Sequence, residues 1–529
     1  MKRNWMSKIK FDAFKRLLEK YGLRQCWCNI LATRIDRNDA FSYILSDVFF
    51  KDATVLSEDI LEGLSIGEIG VLYEYGLSRQ CMQRKKNDGI YFTPDDVAML
   101  MASYAKDFES GVWLDCCAGI GNLSWHLVNV QINPEEFLKN RMILSDKDAL
   151  ALKIAQVIFT LSFQKHDKKL YFDIEKNFVQ FDFLSVSDEQ SDIFLAGESL
   201  KKIPTHDYVI VNPPYLACPA NVRFETAECG DLYAYFLENI IKTSKGFISI
   251  TPQSFTNASK FKTLRSLMLR HFKNLRIYNF DNIPGNIFAG VKFGSKNSNR
   301  ANSIRAAITV AGVREDGRKI TSLLRWKTQE RQEFFKNLDG FLSDVPLQAD
   351  FFPKVNRSLS NLYKRVCTHK KLSSLLSRRE TPYRLYVPSS PRYFISALKT
   401  AVDRASQKVL YFKNREDMDK AYLLLNSSYM YWWWRVRDGG MTLSLQTLES
   451  LPLIDIKPNK NLISCLEESE KTNKVYKLNA GKMQENVKHP VDLIQRLTEY
   501  VLPTDSFCLS ATHSNSDLYY PIRLTKAAI

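Results

Sequence analysis

Residues 89–315 alternate between short runs of β-branched and aromatic residues and longer amphipathic stretches, and this alternation restricts the fold more than any other feature. The short runs are VWLDCCAG, RMILSD, KLYFD, DYVIVNPP, GFISITP, LRIYNF and IRAAITVAG. Strands that alternate with helices form a parallel sheet covered on both faces. We therefore predict an α/β, doubly wound, Rossmann-like sheet at 86–315, a helical segment at 1–85 and a mixed α+β domain at 316–529.

The composition is that of a soluble globular protein with a strong basic excess. Its 529 residues are enough for two or three domains, and 45% are apolar and 25% charged. The net charge of +16 indicates a polyanionic partner, either nucleic acid or an anionic membrane surface. No apolar run approaches the length of a membrane span. The ten cysteines lack zinc-ligand spacing, so we expect no metal site and a reducing compartment, the cytoplasm.

Much of the positive charge lies in one segment, residues 351–410. It holds thirteen Lys and Arg against two acidic residues, and so carries +11 of the net +16. A solvated face could have this composition, but so strong an imbalance favours contact with phosphates. The candidate phosphate contacts are Lys370, Lys371, Arg378 and Arg379. Arg392, in SSPRYF, lies between turn residues and aromatics and is our candidate for reading a guanine edge.

A glycine-containing turn follows the first predicted strand, in VWLDCCAGIGNLSWHL. Asp115 stands at the strand end, followed by Ala118, Gly119 and Gly121 before a helix that begins near Asn122. Glycines let the backbone approach a ligand closely, at the switch point where doubly wound sheets bind cofactors. A turn of this kind is often only a turn when it stands alone.

Two further acids and a loop strengthen the prediction of a cofactor site. RMILSD ends at Asp146, where a carboxylate can accept hydrogen bonds from ribose hydroxyls. FVQFDFLS ends a predicted strand at Asp182, where a carboxylate can hold an adenine amino group. Upstream, the Gly/Pro-bounded loop GIYFTP carries Tyr91, Thr93 and Pro94. Three acids at successive strand ends, together with this loop, predict a cofactor with a ribose and an adenine.

The run HDYVIVNPPY ends a predicted buried strand on an amide, two prolines and an aromatic ring: Asn212, Pro213, Pro214 and Tyr215. An exocyclic aromatic amine is a poor nucleophile because its lone pair is delocalised into the ring. The Asn212 side-chain oxygen and the Pro213 carbonyl can accept its two hydrogens and localise that lone pair, while the prolines fix the direction of both acceptors. Tyr215 can stack on the base. Such a pocket requires the base to leave the duplex.

These motifs resemble those of the S-adenosylmethionine-dependent DNA adenine-N6 methyltransferases. Asn-Pro-Pro-Tyr with LDCCAGIGN is similar to the gamma class, in which cofactor motifs, catalytic motif and target-recognition domain follow in that order. RKKNDGIYFTP looks like the leading cofactor loop, and ITPQSF and NIFAGVKFG look like later motifs that line the base pocket. LLNSSYMYWWWRVRDGGMTLSLQTLESLPL is similar to the end of a target-recognition domain. The resemblance covers roughly 85–455 and implies a type II restriction-modification methylase.

The resemblance also implies roles for individual residues. Those on the cofactor motifs for S-adenosyl-L-methionine are Tyr91, Thr93, Pro94, Asp115, Ala118, Gly119, Gly121 and Asp146, with Asp182 on the adenine side. Asn212, Pro213, Pro214 and Tyr215 fall on the catalytic tetrapeptide, and Phe288 in NIFAGVKFG faces the flipped base. Cys116 and Cys117 stand where that family usually has small or polar residues. The implied partner is double-stranded DNA, bound by a monomer, with a separately encoded restriction endonuclease as the functional partner and no membrane involved.

Three other functions share part of this pattern. Asn-Pro-Pro-Tyr also occurs in ribosomal RNA and protein-glutamine methyltransferases, but the Tyr-Phe-Thr-Pro loop and the long C-terminal part favour DNA. A combined nuclease-methyltransferase needs more than the roughly 85 residues that precede this loop. A DNA-binding subunit with a retained cofactor fold has no need of an intact Asn-Pro-Pro-Tyr. We interpret Trp432, Trp433 and Trp434 as core residues in preference to a base-stacking surface.

Overall fold

The computed structural model describes residues 7–80, 93–185, 204–288, 304–314, 317–391, 394–404, 406–438, 442–479 and 482–513. They group into two compact units. Unit 1 contains the described residues up to Pro252 together with those of Lys260–Ile277 and Gly285–Gly317. Unit 2 contains Gln253–Ser259, Tyr278–Pro284 and the described residues from Arg318 onwards.

Unit 1 begins with the predicted helices. Helices α1 (Lys8–Asp36) and α2 (Ile66–Gln80) are joined through 3-10 turns at Asp39–Ser46 and Val48–Phe50. Gly22 has a φ of 72° and interrupts α1 with a kink. Buried side chains from this segment share one apolar cluster with those of a helix at 149–163, and the segment therefore packs on the sheet domain of unit 1.

The sheet of unit 1 is mostly parallel, as the alternation predicts. Its strands are β1 (Trp113–Asp115), β2 (Met142–Asp146), β3 (Phe178–Gln180), β4 (Tyr208–Val211), β5 (Gly246–Pro252), the first half of β6 (Leu275–Phe280), and β7 (Ala306–Ala311). Six of them follow the order β3-β2-β1-β4-β5-β7. The pairs among β1 to β5 are parallel, and β7 is antiparallel to β5. The carboxyl ends of β1 to β5 thus lie at one edge.

Helices connect these strands, which gives the predicted doubly wound, Rossmann-like fold. They are α3 (Asp95–Ser103), α4 (Asn122–Asn129), α5 (Pro134–Arg141), α6 (Ala149–Phe163), α7 (Leu170–Asp173), α8 (Leu232–Thr243) and α9 (Lys262–His271). The strands β4 and β5 are almost entirely buried, which explains their unbroken apolar sequence.

The prediction of a strand at KLYFD is wrong, because these residues form the short helix α7. Asp167 starts the turn: its carboxylate accepts the N–H of Lys169 and its carbonyl accepts the N–H of Leu170. Leu170 and Tyr171 are both buried although they are neighbours in sequence, which a helical turn allows and an alternating strand does not.

Unit 2 contains both strands and helices. Its strands are β8 (Arg318–Leu324), β9 (Leu342–Ser343), and the hairpin pairs β10 (Arg384–Pro388) with β11 (Gln407–Tyr411) and β12 (Lys474–Asn479) with β13 (Lys482–Val487). Its helices are α10 (Arg331–Lys336), α11 (Ser360–Val366), α12 (Arg415–Asn426), α13 (Ser428–Arg437), α14 (Leu445–Glu449), α15 (Lys460–Thr472), α16 (Val491–Val501) and α17 (Ser506–His513).

The tryptophan triplet lies on α13, and Trp432, Trp433 and Trp434 are at most 3% exposed. Trp433 donates its indole N–H to the Ser450 hydroxyl, and Trp434 donates to the Thr442 carbonyl. The interpretation of the triplet as core is therefore confirmed. Within the described ranges, no helix is both long and apolar enough to cross a membrane.

Candidate active site

The sheet order of unit 1 brings the predicted site residues to one edge. The chain runs outwards through β1, β2 and β3 and then returns to place β4 on the other side of β1, so the order reverses between β1 and β4. A crevice forms at such a reversal, outside the carboxyl ends of the strands. Asp115 and Asp146 end β1 and β2, and Asn212 directly follows β4.

The glycine turn after β1 has the backbone that its sequence predicts. Gly119 and Gly121 have φ values of 53° and 85°, in the left-handed region that favours glycine. A Cβ at Gly121 would lie 2.7 Å from the ring of Phe159, so the position has neither the backbone nor the space for a side chain. A Cβ at Gly119 would meet nothing within 4 Å, so only its backbone conformation favours glycine. The turn is further held by the Ala118 N–H, which donates to the Ser145 carbonyl at 3.1 Å.

Asp115 is a buried carboxyl, 1% exposed, that organises the turn from within. The Ser124 hydroxyl donates to its Oδ2 at 2.7 Å, and the Cys117 N–H donates to its Oδ1 at 3.3 Å. Burial raises the pKa of Asp115 to about 7, because a charge there would be poorly solvated. Burial also raises the pKa of the Cys117 thiol.

Asp146 has both carboxylate oxygens engaged by backbone groups. The Gly119 N–H donates to Oδ2 at 2.8 Å, and the Asp148 N–H donates to Oδ1 at 3.0 Å. Burial raises the pKa of Asp146 as well. The carboxylate thereby links the glycine turn to the start of α6. It stabilises the local backbone, and it also remains available to a ligand. Each oxygen keeps a second lone pair that could accept a hydroxyl.

One cavity of about 850 Å³ covers this edge of unit 1. Of the predicted cofactor residues, Thr93, Asp115, Ala118, Gly119, Asp146 and Asp182 line it. Pro94 and Gly121 are outside its lining, and Tyr91 lies outside the described residues. From the predicted catalytic tetrapeptide, Asn212, Pro213 and Pro214 line the same cavity. Cofactor-motif residues and catalytic-motif residues therefore share one space.

Several lining residues were not predicted from sequence. Helix α2 supplies a wall with Gly70, Tyr73, Glu74, Leu77 and Ser78. Phe183 and Phe236 also line the cavity, stacked with ring centroids 5.5 Å apart and planes 16° apart. Phe183 could have been found from the aromatic residues on either side of Asp182, but α2 has no sequence signal that connects it with this site.

Asp182 lies two residues beyond the end of β3, whereas the sequence placed it at the strand end. Its side chain is exposed, and its Oδ1 accepts the Leu184 N–H at 3.1 Å. The flanking Phe181 and Phe183 are buried. An acceptor beside aromatic faces is an arrangement that could hold a purine edge.

The predicted catalytic tetrapeptide is fixed at both ends. The Asn212 side-chain N–H donates to the Thr93 hydroxyl oxygen at 2.9 Å. The Tyr215 hydroxyl donates to the carbonyl of Ile250 on β5 at 2.8 Å, which sets the position of the ring. Phe288 is 2% exposed and meets Tyr215 edge to face, with centroids 6.1 Å apart. Tyr215 and Phe288 are thus brought together, outside the lining of the cavity.

The candidate phosphate contacts lie in unit 2. Lys370, Lys371, Arg378 and Arg379 are exposed and take part in no ion pair within the described ranges. Two other cations of the segment 351–410 are in close ion pairs: Arg365 pairs with Asp505 at 2.6 Å, and Lys399 pairs with Asp419 and Glu467, each at 2.8 Å. Arg392 falls outside the described residues.

Comparison with known proteins finds a similar protein family and a similar individual protein. Residues 140–288, from the end of α5 through Phe288, match the Eco57I restriction-modification methylase family. Over 195 residues the chain is 26% identical to the type II methyltransferase M.PstI of Providencia stuartii, a match that covers 35% of this chain and 36% of M.PstI. These matches confirm the resemblance to restriction-modification methylases that the sequence motifs indicate.

Two solved structures are similar over much of the chain. A complex of DrdV with DNA superposes with a TM-score of 0.40 at 14% identity, over 72% of this chain and 47% of DrdV. The type IIG restriction endonuclease BpuSI gives a TM-score of 0.38 at 10% identity, over 98% of this chain and 79% of BpuSI. The chain thus spans less than half the length of M.PstI and of DrdV.

Proposed function

We propose that this protein is a sequence-specific DNA adenine-N6 methyltransferase that uses S-adenosyl-L-methionine and acts in a restriction-modification system. The observation that carries the proposal is the shared cavity, in which Asp115 and Asp146 of the cofactor motifs and Asn212 and Pro213 of the catalytic motif line one space. Methyl transfer requires the methyl donor and the target amine to be in direct contact. The cofactor motifs and the catalytic motif therefore have to line the same cavity.

The cavity suits the proposed cofactor. Its volume of about 850 Å³ lies within the range of ligand pockets, roughly 300–1,000 Å³. Asp146 would accept hydrogen bonds from the ribose hydroxyls, and Asp182 from the adenine amino group, with Phe183 beside the adenine ring. Gly119 would let the backbone approach the cofactor, since nothing lies within 4 Å of its missing side chain. The cofactor supplies a methyl group on a positively charged sulfur.

The catalytic motif would raise the nucleophilicity of the target amine. The Asn212 side-chain oxygen and the Pro213 carbonyl would accept its two hydrogens, so that its lone pair turns away from the ring and towards the methyl group. The C–N bond forms as the S–C bond breaks, which leaves a positively charged nitrogen that releases one proton readily. A strong base is therefore not needed for the transfer. Tyr215 would hold the base by stacking, and Phe288 would support Tyr215.

The substrate proposed is double-stranded DNA, on the similarity to restriction-modification methylases. The target amine is inaccessible in a stacked pair, so the base would have to be extruded, which costs a few kcal/mol. The exposed cations Lys370, Lys371, Arg378 and Arg379 would contact the phosphates. Methylation of the host sequence would protect it from a separately encoded endonuclease, and the enzyme would act on DNA as a monomer.

The direct test uses purified protein, methyl-labelled S-adenosylmethionine and duplex DNA, followed by digestion to nucleosides and mass spectrometry. We expect N6-methyl-2′-deoxyadenosine as the labelled nucleoside, and sequencing of modified bases would give the recognition sequence. Asn212→Ala should abolish turnover while cofactor binding persists. Asn140→Ala changes an exposed asparagine on α5 and should leave activity unchanged.

Each contrary outcome identifies an alternative. Label on cytosine, on RNA or on protein would contradict the proposed substrate. Cofactor binding without any transfer would indicate a DNA-binding subunit with a retained cofactor fold. Near-normal kcat in Asn212→Ala would contradict the catalytic assignment alone.

A further inference from the structure

Thr93 makes two hydrogen bonds that link both halves of the site in unit 1. Its hydroxyl oxygen accepts the side-chain N–H of Asn212 at 2.9 Å. Its backbone carbonyl accepts the side-chain N–H of Asn122, the first residue of α4, at 2.7 Å. Asn122 directly follows the glycine turn. Thr93 therefore bridges the turn that follows β1 and the amide that follows β4.

The bridge is buried and its backbone is held in place. Thr93 is 4% exposed and Asn122 is 7% exposed, so water cannot readily replace either bond. Pro94 follows Thr93 and restricts the backbone of Thr93 to extended conformations. Pro94 in turn begins α3, where the Val97 and Ala98 N–H groups donate to its carbonyl.

The next residue, Asp95, anchors this helix start from two sides. The Ser65 hydroxyl donates to Asp95 Oδ2 at 2.6 Å, and His126 Nε2 lies 3.3 Å from Asp95 Oδ1. Ser65 precedes α2 and His126 lies on α4. The start of α3, next to Thr93, is therefore held by residues at α2 and α4. A hydroxyl held this firmly can fix the side chain that it accepts.

The orientation of Asn212 decides what it can do to a target amine. An amide has an acceptor oxygen and a donor NH₂ group of nearly equal size. Only the oxygen can accept a hydrogen from the amine, and a rotated amide would direct a second donor at it. Because the Asn212 NH₂ group donates to Thr93, this end of the amide faces Thr93 and the oxygen is directed away from it.

We propose that Thr93 is a positioning residue for the catalytic amide of Asn212, beyond the cofactor-binding role that its sequence motif suggests. The inference rests on the proposed function, since it concerns the same methyl transfer. The two roles of Thr93 make opposite kinetic predictions. A role in cofactor binding alone raises KM for S-adenosylmethionine and leaves kcat unchanged at saturation. A positioning role lowers kcat and leaves cofactor affinity nearly unchanged.

The test compares three variants at this position. Thr93→Val replaces the hydroxyl by a methyl group of nearly the same size, and Thr93→Ala removes both the hydroxyl and the methyl group of Thr93. Both should lower kcat by about tenfold, which corresponds to about 1.4 kcal/mol. Thr93→Ser keeps the acceptor oxygen and should restore kcat to within about threefold of wild type. The dissociation constant for S-adenosylmethionine, measured by calorimetry, should change by less than about threefold in all three.

Thr243→Val is the matched control, because it removes an exposed threonine hydroxyl at the end of α8 that bonds only to the Asn239 carbonyl among the described residues. It should leave kcat unchanged. The inference is overturned if Thr93→Val and Thr93→Ala keep wild-type kcat, or if their loss appears only as weaker cofactor binding. A lowered kcat in Thr93→Ser equal to that of Thr93→Val would also overturn it. A wild-type protein that methylates no adenine overturns the proposed function, and this inference with it.

Discussion

The hydroxyl of Tyr73 donates a hydrogen bond of 2.7 Å to Asp148, and both residues line the candidate cofactor cavity. Asp148 also begins helix α6, where its other oxygen accepts the N–H groups of Leu150 and Ala151 at 3.0 and 3.3 Å. Tyr73 belongs to α2 in the N-terminal helical segment. The hydrogen bond between Tyr73 and Asp148 therefore links this segment to the loop that directly follows Asp146.

We predict that Tyr73→Phe weakens the binding of S-adenosylmethionine by about 1.5 kcal/mol, or roughly tenfold, because a hydrogen bond to a charged acceptor is lost beside the proposed ribose site. Calorimetric titration measures this directly. Tyr43→Phe is the control, since the Tyr43 hydroxyl bonds to Gln164 at 2.5 Å and lies outside the cavity lining. It should reduce thermal stability without changing cofactor affinity. Equal cofactor affinity in wild type and Tyr73→Phe would show that the hydrogen bond from α2 does not contribute to cofactor binding.

Asp146→Ala should weaken cofactor binding by about 1.5–3 kcal/mol, because a charge-assisted hydrogen bond to a ribose hydroxyl is lost. The structure adds a second effect. The variant also leaves the Gly119 and Asp148 N–H groups without their acceptor, so the thermal midpoint should fall. DNA affinity at saturating cofactor should be little changed. Unchanged cofactor affinity by calorimetry would move the ribose site to another residue.

The buried carboxyl of Asp115 predicts a pH dependence of stability. Its pKa rises from 3.8 to about 7 on folding, so between these values the folded protein retains a proton that the unfolded chain has released. Its contribution to stability is therefore present below pH 4 and is lost as the pH rises towards 7. Buried His489, with a pKa lowered to about 4, contributes in the opposite direction between about 4 and 6.5.

The measurement is thus the difference between wild type and Asp115→Asn, which stays neutral at every pH. From pH 5 to 7.5 the thermal midpoint of the wild type should fall relative to that of the variant. If the thermal midpoints of the two proteins changed in parallel with pH, the pKa of Asp115 would be the same in the folded and unfolded states.

The basic segment of unit 2 predicts how DNA binding depends on salt concentration. Changing Lys370, Lys371, Arg378 and Arg379 together to Gln should weaken specific and non-specific DNA binding alike. Each lost phosphate contact should reduce the slope of log K against log salt by about 0.9. The control changes four other exposed lysines of unit 2 to Gln, and so removes the same charge elsewhere: Lys336, Lys457, Lys460 and Lys488.

If both quadruple variants behave alike, the effect is one of net charge and the segment has no special contact with DNA. Altered sequence preference with an unchanged salt slope would instead indicate that the arginines contact base edges.

The site residues at strand ends could be predicted because a parallel sheet brings the carboxyl ends of its strands together. Asp115, Asp146 and Asn212 are each marked locally, by a strand that stops at a polar residue, and the sheet places them at one edge. The bond between Thr93 and Asn212 could not be predicted in the same way. These residues are 119 positions apart, and a threonine hydroxyl has many potential partners.

Local patterns also fail where packing decides the outcome. KLYFD has the composition of a strand, yet Asp167 forms the turn that precedes it and both Leu170 and Tyr171 are buried, so a helix forms. The contribution of α2 to the cavity is another case. An amphipathic helix shows which face it buries, but its sequence does not show which element it will cover.

The tryptophans of α13 also provide a spectroscopic signal. Together with Trp326, which is fully buried, Trp432, Trp433 and Trp434 place four indole rings in the interior of unit 2. Their emission should be blue-shifted and insensitive to acrylamide in the native protein, and it should move to longer wavelength when the core of unit 2 opens. Intrinsic fluorescence would then report the opening of this core without an added dye, on top of the signal from Trp27, Trp113 and Trp125 in unit 1.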